Sequence, residues 1–187
     1  MENEAKEILI SKANNLAKLI TYLRQDLTTY NNAIESRRQY LNDYYELLKV
    51  IGELEKKKED IATNINQKEE ELLSLGGIKR IKSRFTIRQN LRNLKTLLEL
   101  VRNDYFYYTD KWRKVALLIK KKDDQISSYN ISSLRGEYER AVKEYNEIVM
   151  ELNKKFGFSH KTISTEMGQE KNIVPLIKLE NEETREN

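Results

Sequence analysis

The sequence predicts an all-α fold, a long antiparallel helical hairpin of the coiled-coil kind, on three observations. Apolar residues recur every 3.5 residues over two long stretches, the spacing that keeps one stripe of a helix facing a partner. Breakers are scarce, with one proline and six glycines in 187 residues. Charged residues make up 34% of the chain and mean hydropathy is −0.77, so the apolar stripe is narrow and its flanks are polar.

The first stripe runs Leu9, Ala13, Leu16, Ile20, Leu23, Leu27, Tyr30, Ile34, Arg37, Leu41, Tyr44, Leu48 and Ile51. Twelve of these thirteen positions are apolar or aromatic. After Ile51, near Gly52, the register slips by three residues and resumes through Leu54, Lys58, Ile61, Ile65, Lys68, Leu72 and Leu75. Such a slip locally overwinds a supercoil. The first arm is therefore expected over residues 4–75.

Gly76-Gly77 reads as its stop, because glycine accepts the left-handed backbone of a helix C-cap. A basic turn over 76–86 follows. Thr86 and Gln89 have the spacing of a capping box, which would start the second arm at residue 87. Its stripe runs Ile87, Leu91, Leu94, Leu98, Val101, Tyr105, Tyr108, Trp112, Val115, Ile119, Lys122, Ile126 and Tyr129. A polar interruption at Ser127–Ser133 precedes Leu134, Tyr138, Ala141, Tyr145, Ile148 and Leu152 in a new register. The arms, 4–75 and 87–157, match in length at about 100 Å each. Matched arms favour a hairpin filling residues 1–157; the alternative is an elongated three-helix bundle in which the chain breaks at the serines and folds back.

Residues 158–187 lose the repeat and read as a mostly irregular polar tail. It holds one apolar segment, 173–179, suited to docking as an extended strand: Ile173, Val174, Leu176, Ile177 and Leu179 supply the side chains, and Pro175 blocks a helix.

Several function classes are disfavoured. The chain has no cysteine, hence no disulfide, thiolate metal site or thiol nucleophile. Its one histidine, His160, cannot assemble a triad or an imidazole metal cluster. A narrow seam encloses no substrate pocket. The expectation is a non-enzyme with no catalytic residue, metal or cofactor and no small-molecule substrate. The longest apolar run, Val115–Ile119, is too short to span a membrane, and the acidic N-terminus does not resemble a signal peptide. An intracellular, non-secreted setting, cytoplasmic or in a nucleus or nucleoid, is expected.

Charge gives the sharpest functional clue. Between Glu71 and Glu99 lie seven basic residues and no acid: Lys79, Arg80, Lys82, Arg84, Arg88, Arg92 and Lys95. The whole chain is only +4, so this window holds all the excess positive charge. Arginine forks match phosphate oxygens, and Phe85 among them could stack on an unpaired base. The plain alternative is a solvated surface, although cations at a helix start oppose its dipole. In the aromatic run Tyr105–Tyr108, Tyr105 and Tyr108 fall on the seam with Trp112, whereas Phe106 and Tyr107 fall off it and suit a partner interface.

The function expected from sequence is a helical assembly or interaction protein whose basic hairpin tip binds a polyanion, nucleic acid first. The alternatives are a structural scaffold or adaptor subunit, virion components included, whose tip contacts an acidic protein, and, more weakly, a membrane-surface coiled-coil protein. Partners would be other protein subunits in a homo- or hetero-oligomer, with nucleic acid as a further candidate.

Overall fold

The computed structural model describes residues 2–75, 81–165 and 173–178. Among them the chain forms three helices and no strand: α1 (Glu2–Ser74), α2 (Ile81–Ser127) and α3 (Ile131–Phe156). Two compact units result. One combines Met1–Glu35 with Asp124–Asn187, and the other is Ser36–Asp123.

In the Ser36–Asp123 unit, the C-terminal half of α1 pairs with α2. Arg37 bonds Asp123, the Tyr44 and Trp112 rings lie 5.3 Å apart, Lys58 sits 4.6 Å from the Tyr105 ring centre, and Glu69 pairs with Lys95. Residue numbers rise on one helix as they fall on the other, so the pair is antiparallel. Ile61, Ile65, Ile87, Leu91 and Val101 form its buried core.

In the other unit, the N-terminal half of α1 pairs with α3, again antiparallel. Tyr30 meets Tyr129 at 5.8 Å, Arg24 Nε donates to the Tyr138 hydroxyl at 3.1 Å, and Lys6 lies over Phe158. The core joins Ile20, Leu23 and Leu27 to Tyr138, Val142, Tyr145, Val149 and Leu152. In this core the partner of α3 is α1.

Three features differ from the sequence reading. The second arm is two helices, because Ser128 Oγ donates to the Gln125 carbonyl, the backbone turns, and the Asn130 side chain accepts from Ser133 N to cap α3. Helix α2 begins at Ile81, ahead of the expected Thr86 cap; Thr86 lies inside the helix, its hydroxyl donating to the Lys82 carbonyl, since nothing in Ile81–Phe85 breaks a helix. The Gly76-Gly77 stop lies outside the described residues. The register slip sits at Tyr30–Ala33 and not at Gly52. Ala33 is buried while Ile34 and Leu48 are exposed, and the inward positions then run Arg37, Tyr44, Leu47, Ile51 and Leu54 without a further slip. Small Ala33 allows this, because it fills the inward position without forcing the helices apart.

The tail is held by side-chain amides. After Gly157, whose φ of 73° is the left-handed cap that favours glycine, the chain doubles back along α3. Asn153 takes both backbone groups of His160, accepting from N at 3.1 Å and donating to O at 2.9 Å. Asn146 does the same to Ile163, at 2.8 Å for both bonds. On α1, Asn14 grips Ile177 at 2.7 and 3.0 Å, and Thr21 Oγ1 accepts from Val174 N at 3.2 Å. The spacing has a simple cause. Seven helical residues rise about 10.5 Å, and three residues of extended chain cover about 10 Å. Groups one heptad apart therefore meet every third residue of the tail. Val174 and Ile177 are buried in the process, each gaining about 1.5–3 kcal/mol of apolar burial. Ordering a residue's backbone costs about 1–2 kcal/mol, so these two side chains cannot by themselves hold the segment, and the amide grips are required.

Asn14→Ala and Asn146→Ala should each lower stability by about 1–2 kcal/mol, because each strands a backbone donor and acceptor. Asn31→Ala, at an exposed position of α1, should change it by less than about 0.5 kcal/mol. Denaturant melts of the three variants check this, and equal midpoints would remove the grips from the account.

Burial pushes the Tyr145 phenol up from its usual value. The folded state then keeps the proton at a pH where the unfolded chain has lost it. This contribution is full below about pH 10 and fades as pH rises through the folded-state value. Tyr145→Phe should flatten the loss of stability above about pH 10 and leave the curve at neutral pH nearly unmoved. Thermal melts from neutral to strongly alkaline pH read the difference.

Candidate polyanion-binding face

The first turns of α2 carry the basic cluster. Its first turn has no acidic residue to offset the positive pole of the helix dipole. At about 100° per residue, Arg84, Arg88, Arg92 and Lys95 fall within an arc of about 80°, beside the Ile87–Leu91 stripe buried against α1. Arg88, Arg92 and Lys82 are exposed, and among the described residues none of the three has an ion-pair partner. Lys82 lies on another side of the helix. Arg84 is half-buried, and its Nε is shielded from solvent with no hydrogen-bond acceptor among the described residues. Phe85 is 70% exposed and borders the arc on the side of Arg92, about two turns nearer the start of α2. Lys79 and Arg80 lie outside the described residues.

One of the cations is not free. Lys95 Nζ is 2.8 Å from Glu69 Oε1 on α1, within the acidic run Glu69–Glu71. The basic window is acid-free along the sequence but not in space, because the antiparallel partner brings carboxylates to its C-terminal edge. Both side chains of the pair are about half-exposed, so it is a weak pair that a phosphate could displace. The least compensated part of the face is Arg84–Arg88–Arg92.

The residues expected at a partner interface separate. Phe106 and Tyr107 are exposed on α2, on opposite sides of its outer surface, each turned about 130° from the centre of the α1 seam. Val174 and Ile177 are buried against α1 of the same chain, while Ile173 and Leu176 remain exposed. Leu179 lies outside the described residues. Arg37, the polar exception in the first stripe, bonds Asp123 within its own unit.

Sequence reasoning missed Arg24 and the tail grips. Arg24 is 7% exposed, and Tyr138, to which it donates, in turn donates its hydroxyl to the Ser164 carbonyl. The signal was a second heptad stripe. Ile10, Asn14, Ala17, Thr21 and Arg24 repeat by four and three on α1, and Val142, Asn146, Val149 and Asn153 do so on α3. His160 stacks on Phe158 with ring centres 5.5 Å apart. Among the described residues no group of three or more His, Cys, Asp or Glu side chains converges as a metal site would require. No described helix is long and apolar enough to cross a membrane. Comparisons with protein-family models, with curated proteins and with solved structures match nothing to this chain.

Proposed function

We propose that the protein is a non-enzymatic helical interaction protein whose α2 N-terminal face binds the phosphate backbone of a polyanion, single-stranded nucleic acid first. The observation that carries the reading is the exposed Arg88–Arg92 arc, bordered by Phe85 and free of compensating carboxylates among the described residues. Of the cluster, Lys82 and Arg84 lie in the first turn of α2, where cations oppose the helix dipole at a small cost, and Arg88 and Arg92 extend the positive face beyond it. Guanidinium forks engage phosphate oxygens in pairs of hydrogen bonds, and an exposed phenyl ring offers a face to an unpaired base. The Lys95–Glu69 pair supplies an edge: a bound strand would run toward the start of α2 and away from the carboxylates.

Changing Arg84, Arg88 and Arg92 together to Gln should leave helicity and melting nearly intact, since arginine and glutamine are similar helix formers. Binding of a fluorescent single-stranded oligonucleotide should weaken for all sequences alike, and the log–log salt slope should flatten by about one unit per lost contact. Phe85→Ala should add a smaller loss, confined to single strands. A wild-type protein with no salt-sensitive binding at low ionic strength would sink the proposal and leave the scaffold reading.

A further inference from the structure

The Ser36–Asp123 unit has an uncovered apolar side. On α2, Leu97, Leu100, Tyr107 and Leu118 share one stripe beside the seam, and all four are exposed, Leu100 by 57%. Next to this stripe, α1 and α2 leave an open groove of about 450 Å³, whose apolar floor is Leu47, Val50, Tyr108 and Val115. In the other unit the equivalent second stripes of α1 and α3 are closed by the tail through asparagine grips. Here α2 presents Asp104, Lys111 and Lys114 between its apolar positions, and no amide that could hold a strand's backbone. The chemistry of this side suits a helix face.

Its charges specify which one. The α1 wall of the groove carries Asp43 and Glu46, and the α2 wall carries Lys111 and Lys114. The pairs Arg37–Asp123 and Tyr44–Trp112 set the register, so the acidic and basic walls lie at the same height. We infer that this groove is the interface for a second copy of the same chain, which closes it into a four-helix bundle about a two-fold axis parallel to the helices. That axis lays α1 of each copy on α2 of the other, so each acidic wall meets a basic wall, twice by symmetry. A two-fold axis across the helices would set α1 against α1 and carboxylates against carboxylates. Lys111 now lies over the Tyr107 ring, and Lys114 pairs with Asp110 one turn away. Both contacts are solvent-exposed and hold the ammonium groups weakly, so an incoming carboxylate competes. From Leu97 to Leu118 the stripe runs about 31 Å; with the width of two helices it covers roughly 600 Å² per copy, the small end of specific interfaces. The dimer is therefore concentration-dependent.

Sedimentation equilibrium on the full chain tests this with paired charge reversals. The wild type should dimerise at about 100 µM or below, in keeping with a small interface. Asp43→Lys with Glu46→Lys should weaken the dimer by roughly tenfold or more, as should Lys111→Glu with Lys114→Glu in a separate protein. An equimolar mixture of the two double variants should recover a dimer, because each wall again meets its opposite. All four positions are on the open surface of the unit, and circular dichroism verifies that the variants stay helical. A monomeric wild type, reversals without effect, stronger association on reversing the acids alone, or a mixture no tighter than its components would each overturn the inference.

Discussion

The apolar stripe of α1 is the constraint on which the remaining structure rests. A helix of 73 residues with one hydrophobic seam must cover that seam along its length, because helical propensity alone does not compensate for an exposed apolar ribbon. The chain covers it with two shorter helices, α2 against the C-terminal half and α3 against the N-terminal half. Antiparallel pairing follows in both units, and cross-helix contacts such as Tyr44–Trp112 and Tyr30–Tyr129 set its register.

The two units solve the same packing problem differently. Two helices bury one stripe each and leave their flanks wet. Where α1 and α3 carry a second stripe, a further layer is needed, and the tail supplies it. A tail without regular structure brings unpaired backbone groups into a half-buried position, and those groups must be bonded. Asn14, Asn146 and Asn153 meet that need, since an amide offers a donor and an acceptor at the separation of one residue's N–H and C=O. In the Ser36–Asp123 unit no such layer is described, and α2 shows exposed leucines and a groove with oppositely charged walls.

Electrostatics on α2 shows why sequence proximity and spatial proximity must be kept apart. Along the chain, seven cations stand without an acid. In the folded unit, Glu69 reaches Lys95 from the opposite helix. What remains uncompensated is narrower than the sequence window and lies nearer the start of α2. The proposed polyanion face is accordingly the Arg84–Arg92 arc with Phe85 beside it.

The heptad repeat determined by itself that the chain is helical, where its main seam lies from Leu9 to Tyr30, and that Tyr105, Tyr108 and Trp112 belong to packing. Those features depend on local periodicity, which a linear sequence carries in full. The basic window and the apolar tail segment were legible for the same reason, as contiguous runs. Tertiary structure decided where the slip falls, because choosing Ala33 over Ile34 depends on how closely the partner helix approaches. It decided that Asn130 starts a separate helix still paired with α1, that Glu69 neutralises Lys95, and that Asn14 holds a residue 163 positions away. Each of these is a contact between distant parts of the chain, whose free energy depends on distance and burial that no single segment encodes.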